Sequence, residues 1–141
     1  NMATTTAQIT ITSSDIADNA VSISNTATLT TAGTATGLTE TTGLARRKMS
    51  SSTLTDLITV ANIAGFSAAK SAKVYIRNTG TLTDKYAIIG IGDSSGTPTT
   101  IGRLYGGDWM FFPYDGNSGE DITIDMSDAT ATVIEYAVFF E

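Results

Sequence analysis

The chain of 141 residues contains neither cysteine nor histidine. Without cysteine there are no disulfides and no thiolate metal ligands, so the sequence carries no sign of a redox compartment. Without histidine, the usual serine or cysteine catalytic triads and ordinary zinc sites cannot form, because they depend on an imidazole. The remaining chemistry belongs to carboxylates, lysine and oxygen-ligated ions. We therefore expect no cofactor and no metal.

Basic residues are also scarce. Eight Lys and Arg residues stand against 14 Asp and Glu residues, which gives a formal net charge of −6. Because an acidic chain repels phosphate backbones, we expect no nucleic-acid partner. The apolar runs are far shorter than the ~20 residues that span a bilayer, so we expect no membrane partner.

The N-terminal segment lacks the charged and apolar regions of a signal peptide. We interpret Asn1, which precedes Met2, as a cloning remnant. Residues 1–8 are predicted to form a flexible N-terminal arm, and residues 9–141 a single β-sandwich domain, since a chain of this length fits one domain.

Alternation of apolar and polar residues recurs along the chain, which is typical of half-buried β-strands. In AKVYIRN (72–78), Val74 and Ile76 alternate with longer polar side chains. We predict an all-β fold, an antiparallel two-sheet sandwich of jelly-roll type with about eight to ten strands, because one open sheet would leave a face and its edges unprotected. The dipeptide Gly106-Gly107 predicts a tight hairpin between its flanking strands.

The stretch RLYGGDWMFFPYDG (103–116) places four large apolar residues side by side. In an extended strand, Trp109 and Phe111 share one face and Met110 and Phe112 share the other, so both faces are apolar. A sandwich strand needs one such face, and the other must meet more of the same chain, another subunit or a ligand. Because aromatic residues and Met are enriched in subunit contacts, we name five interface candidates: Trp109, Met110, Phe111, Phe112 and Phe139.

A second candidate surface centres on Tyr75, which lies between Lys73 and Arg77 on the outward face of its predicted strand. Tyr75 could stack on a sugar ring or bind an anionic glycan, or it could cover a cross-strand neighbour or a subunit contact. Candidate glycan or partner contacts are Tyr75, Lys73, Arg77, Tyr105 and Tyr114. The run Arg46-Arg47-Lys48 is interpreted as a solvated strand end, with an acidic patch on a partner protein as the alternative.

The segment DGNSGED, residues 115–121, superficially matches a calcium loop. An EF-hand loop requires Gly at position 6 and Glu at position 12, where this chain has Glu120 and Met126. We therefore interpret the segment as a solvated loop between strands.

Carboxylates could also form a glycosidase pair, which needs two carboxyl groups about 5–10 Å apart across a sugar cleft. Asp108 beside Trp109 and Glu135 near Phe139 are the places to look. Surface carboxylates are far commoner than catalytic ones, so we predict no catalytic residues and no enzyme.

Four stretches carry a resemblance to a known family: TTGLARRKMSSSTLTDLI, AKVYIRNTGT, IGRLYGGDWMFFPYDG and TATVIEYAVFFE. With the richness in Thr, Ser, Ala and Gly, they resemble small virion structural proteins of tailed phages of marine cyanobacteria and their relatives, over nearly the whole chain beyond residue 8. The resemblance implies a β-sandwich on the particle, as a capsid decoration (cement) protein or as part of a tail or fibre, often as a trimer. It implies no catalytic residues.

We therefore expect a non-enzymatic capsid decoration protein that forms a homotrimer and contacts the major capsid protein or other virion proteins. Its place would be the virion surface, after assembly in the host cytoplasm, and its mechanism would be adhesion through apolar strand faces. The alternative is a glycan- or receptor-binding domain of a tail fibre. A carboxylate glycosidase is a third hypothesis, and it requires a cleft that holds two acids.

Overall fold

The structure is a computed structural model that describes residues 5–15, 20–29, 38, 40–66, 71–116 and 120–140. Over these residues the fold is all-β with antiparallel strands, apart from one short 3-10 helix at Val60–Asn62. The prediction of an antiparallel all-β fold is confirmed. The chain divides into two compact units, Asn1–Thr39 and Glu40–Glu141.

The first unit contains a two-stranded sheet of β1 (Thr6–Ser13) and β2 (Val21–Thr28). The register pairs Ile11 with Ile23, so apolar residues gather on one face and hydroxyl residues on the other. The structure changes both predicted boundaries: β1 begins at Thr6, inside the predicted arm, and the second unit begins at Glu40 rather than at residue 9. The reason is that β1 pairs with the next strand along the chain, which makes this segment a unit of its own.

The second unit contains the other nine described strands. They are β3 (Glu40–Thr41), β4 (Ala45–Met49), β5 (Thr55–Ile58), β6 (Ser71–Asn78), β7 (Tyr86–Ile91), β8 (Thr99–Tyr105), β9 (Trp109–Asp115), β10 (Ile122–Met126) and β11 (Thr132–Phe140). They form a four-stranded sheet of order β5-β10-β7-β8 and a five-stranded sheet of order β3-β11-β6-β9, which β4 joins by pairing with β11. From β4 onward the chain changes sheet at every connection except the one between β7 and β8.

Apolar side chains from both sheets of the second unit meet in one core cluster. On β6, Val74 and Ile76 are fully buried in this cluster, and they alternate with Lys73, Tyr75 and Arg77 as predicted. The four-stranded sheet contributes a matching set of buried residues: Ala87, Ile89, Leu104, Ile122, Ile124 and Met126. The second unit is therefore a β-sandwich-like pair of sheets.

The turn at Gly106-Gly107 does not form the predicted hairpin. β8 pairs with β7 and β9 pairs with β6, so the chain crosses between the sheets at this turn. A Cβ atom on Gly106 would lie 2.7 Å from the Leu82 carbonyl oxygen and 2.9 Å from that of Gly80. Glycine thus allows the turn to pack against the 80–82 backbone. The hairpin prediction is wrong because this packing, rather than the local turn, directs β9 into the other sheet.

Asn78 links the two sheets beside this turn and is only 2% exposed. Its Nδ2 donates to the Leu104 carbonyl on β8 (2.9 Å), and its Oδ1 accepts the Gly80 N–H (2.9 Å). Its backbone N–H donates to the Asp108 carbonyl (3.0 Å), and its carbonyl accepts the Gly107 N–H (2.9 Å). Both polar atoms of the buried side chain are satisfied, and the turn that precedes Trp109 is held in place.

Candidate functional site

The side of the five-stranded sheet that points away from the core, here called the outer face, combines aromatic and cationic side chains. Three cross-strand rows run over β11, β6 and β9: Glu135–Arg77–Trp109, Ala137–Tyr75–Phe111 and Phe139–Lys73–Pro113. Arg46 and Lys48 on β4 extend the outer face beyond β11. Neighbouring rows lie about 7 Å apart along the strands. The candidate interface and the candidate Tyr75 surface therefore belong to one sheet face.

Aromatic side chains on this face are only partly covered. Trp109 is 52% exposed, and Phe111 and Phe139 are half-buried. Met110 and Phe112 point the other way and pack against the core cluster. The structure thus corrects the set of five interface candidates: three lie on the outer face, and two belong to the interior because they occupy the inner side of β9.

Cations dominate the charged groups of the outer face. Its four cations, Arg46, Lys48, Lys73 and Arg77, surround one carboxylate, Glu135. Arg46 Nε donates to Glu135 Oε1 at 2.8 Å, and the Glu135 side chain is nearly buried beneath its neighbours. Asp115 lies one row further along β9, at its far end. Counting Glu135 and Asp115 against the four cations, the outer face carries a charge of +2 in a chain whose net charge is −6.

Tyr114 is a predicted contact residue that the structure places in the interior. It lies on the inner side of β9, is buried, and donates its hydroxyl hydrogen to the Glu120 carbonyl. Burial, followed by the nearby charges of Asp121, Glu120 and Asp115, raises the pKa of Tyr114 well above its usual range. The prediction of a partner contact at Tyr114 is wrong, because the ring packs beside Phe66 in the core.

Tyr105 is a predicted contact residue that lies on the other sheet. It ends β8 and points away from the core, opposite in direction to Leu104. Its ring lies 5.2 Å from the ring of Tyr86, and the Arg103 guanidinium sits 4.7 Å from the centre of the same Tyr86 ring. The outer face thus unites Tyr75, Lys73 and Arg77, and Tyr105 is separate from them.

Three turns of the second unit, residues 79–85, 106–108 and 127–131, lie at one end of its strands. Each turn carries an aspartate: Asp84, Asp108 and Asp128. The Asp108 Oδ2 atom accepts the Tyr105 N–H at 2.9 Å. The sequence analysis missed this arrangement. It could have been found from the aspartates in alternate turns, because alternate turns between antiparallel strands lie at the same end of the sheets.

One lysine lies among these aspartates. Lys85 Nζ is 2.5 Å from Asp128 Oδ2 and 3.9 Å from Asp84 Oδ2. The hydrogen bond between Lys85 and Asp128 raises the pKa of Lys85 and lowers the pKa of Asp128. Two partly exposed apolar residues, Leu82 and Tyr105, lie in the same region. We call Leu82, Asp84, Tyr105, Asp108 and Asp128 the acidic end.

The two carboxylates considered for a glycosidase have structural partners. Asp108 caps its turn through the Tyr105 N–H, and Glu135 binds Arg46. In the register, Glu135 lies two strands away from Trp109, the residue that follows Asp108. The structure thus places Asp108 in the turn before β9 and Glu135 within the outer face, each held by a neighbour.

The 115–121 segment is described in part, and its residues 117–119 lie outside the described residues. Asp121 is buried and accepts the Val60 N–H at 2.9 Å, which ties the end of this segment to the 3-10 helix. Among the described residues, no group of three or more Asp or Glu side chains is placed to hold a metal ion.

A scan against protein-family models and searches of curated proteins and of solved structures find no match to this chain. In the part of the chain that the structure describes, no helix combines the length and hydropathy needed to cross a membrane. Functional interpretation therefore depends on the fold and on the outer face.

Proposed function

We propose that this chain is a non-enzymatic structural protein of a virus particle, a capsid decoration protein that adheres to the shell as a homotrimer. Its place is the virion surface, and its partners are its own copies and the major capsid protein or another virion protein. The resemblance in four sequence stretches supports this role. The outer face carries the proposal, because it leaves Trp109 half exposed beside the Tyr75–Phe111 row.

We further propose that the second unit is a jelly roll. In that fold, eight strands counted in chain order form two sheets, 1-8-3-6 and 2-7-4-5. Counting β4 to β11 as strands one to eight, the pairings follow the orders β4-β11-β6-β9 and β5-β10-β7-β8, which support this assignment. Jelly rolls occur in viral capsid proteins and in lectins, so the fold is compatible with the proposed role but does not by itself select it.

An exposed aromatic residue on a sheet face favours adhesion between proteins. Aromatic side chains are enriched at the centres of interfaces, and burial of a large apolar side chain contributes roughly 1.5–3 kcal/mol. About half of the Trp109 side chain is available for such burial. Its removal should therefore weaken adhesion and leave the fold intact, since the core lies on the other side of the sheet.

The test is co-sedimentation of the purified chain with particles of the encoding phage from which this protein has been stripped. We expect saturable binding at a fixed ratio to the major capsid protein. Trp109→Ala should weaken it about tenfold, and Ile101→Ala, a matched change at an exposed apolar residue of the four-stranded sheet, should not. Absent binding, or equal affinity of the two variants, would contradict the proposal.

A second candidate function, the glycan-binding domain of a tail fibre, is favoured by the position of Tyr75. Its ring lies on the outer face between two cations, with Phe111 opposite it on β9. A glycan array should then show binding that Tyr75→Ala abolishes and Tyr105→Ala leaves unchanged, because Tyr105 lies on the other sheet. Binding that is insensitive to Tyr75 would argue against this function.

A further inference from the structure

The distribution of charge over the chain is strongly uneven. The outer face carries +2, so the rest of a chain of net charge −6 carries −8. Two outer faces therefore repel each other, and a twofold dimer formed face to face through them is unfavourable. Each copy also carries the negative charge that lies outside its outer face. A second copy therefore offers the outer face a surface of opposite charge.

The acidic end has the properties that the outer face requires of a partner. Asp84 has a side chain that is 75% exposed, and Asp108 is also exposed at the same end of the strands. Leu82 and Tyr105 add partly exposed apolar surface to the same region. The outer face, in turn, presents Trp109 next to its cations. We propose that the outer face of one copy docks against the acidic end of a second copy.

This contact joins two different surfaces, so each copy can use its outer face toward one neighbour and its acidic end toward another. Repeated head to tail, such a heterologous contact closes into a ring of three or more copies where the rotation between neighbours allows it, and otherwise extends into an open filament. Four strands spaced about 4.8 Å apart give the outer face an extent of roughly 20 by 20 Å. This is roughly half of the ~800 Å² per partner in a standard interface. One contact is therefore weak, and ring closure supplies each copy with two.

The inference rests on the proposed function, since it specifies how the copies of a decoration protein would adhere to each other. It also predicts that association depends on salt. The Debye length, the distance over which exposed charges still interact, falls to ~3 Å at 1 M ionic strength. Most of the attraction between exposed charges is then lost. Association should weaken about tenfold or more between 50 mM and 1 M NaCl.

Analytical ultracentrifugation of the full chain tests the contact with charge reversals. Arg77→Glu on the outer face and Asp84→Arg at the acidic end should each weaken association about tenfold. The double variant carries both reversals, so the two charges are exchanged in every contact of a ring. Its association should recover most of the strength that each single variant loses. Arg103→Glu is the control, because it makes the same charge change on the four-stranded sheet. Unchanged melting temperatures verify that the variants fold, and Lys73→Glu repeats the test two rows away.

Complexes of three or more copies with this salt and variant pattern support the inference. A twofold dimer, association insensitive to salt, failure of the double variant to recover, or an equal loss with Arg103→Glu would overturn it. A monomer that still binds stripped shells would overturn the inference and the homotrimer, and would leave the shell-binding role of the proposed function standing. A ring that does not bind shells would support the inference and contradict the proposed function. A monomer whose Arg77-dependent ligand is an anionic polysaccharide would overturn the inference in favour of glycan binding.

Discussion

Replacement of Asn78 by Ala should destabilise the second unit, although it removes no apolar side chain from the core. The Asn78 side chain makes two hydrogen bonds that link β6 to β8 and to the following turn, with the Leu104 carbonyl and the Gly80 N–H. Alanine leaves both groups without their partner. The Leu104 carbonyl lies in the interior, and the Gly80 N–H is in a half-buried turn that water can reach more easily.

The expected cost follows from these two groups. A buried polar group that loses its partner costs about 1–3 kcal/mol, and the partly accessible Gly80 N–H belongs at the lower end of that range. The sum is about 2–4 kcal/mol, a large share of the roughly 5–15 kcal/mol that stabilises a typical domain. With a denaturant slope of about 2 kcal/mol/M, the urea midpoint should fall by about 1–2 M.

Urea denaturation followed by circular dichroism measures this change. Asn62→Ala is the matched control, because Asn62 is exposed in the 3-10 helix and its loss should change stability by less than about 0.5 kcal/mol. Asn78→Asp keeps the acceptor for Gly80 but lacks the donor for Leu104, so it should cost at least as much as alanine. If Asn78→Ala behaves like the control, the side chain does not link the sheets energetically.

Two further perturbations test other parts of the second unit. Gly106→Ala should lower the free energy of unfolding by about 1–3 kcal/mol, because its Cβ would meet the Leu82 and Gly80 backbone. Gly102→Ala is the control, since a Cβ there has nothing within 4 Å, and it should change stability by less than about 0.5 kcal/mol. Equal unfolding midpoints of the two variants would contradict this prediction. Since the pKa of Tyr114 is raised in the folded chain, its contribution is present below pH ~10 and is lost as pH rises above that value. Tyr114→Phe should flatten this alkaline loss in a series of urea melts, and an unchanged slope would refute the assignment.

The faces of the strands could be predicted from the sequence. Alternation on β6 assigned Val74 and Ile76 to the core side, and alternation on β9 separated Met110 and Phe112 from Trp109 and Phe111, as the structure has them. This succeeds because an extended backbone directs successive side chains to opposite sides, whatever the strand pairs with. The absence of histidine and cysteine likewise restricts the possible chemistry before any folding occurs.

The pairing of strands could not be predicted in this way. Gly106-Gly107 looks like a hairpin turn, and the chain instead crosses between sheets there, because the turn packs against residues 80–82. Tyr114 looks like a surface aromatic in a loop, and its burial depends on Phe66, which is distant in sequence. The periodicity of apolar residues gives no information about such partners, because it describes only neighbouring residues in the chain.

Sequence alone determined that this protein is built of amphipathic strands and has no imidazole or thiol side chain, since residue type and backbone periodicity are local properties. Only the tertiary structure decided that Lys73, Arg77, Arg46 and Trp109 share one surface and that three aspartates gather at one end of the strands. The register between strands far apart in the chain brings these residues together, and register is set by packing of the whole sandwich-like unit.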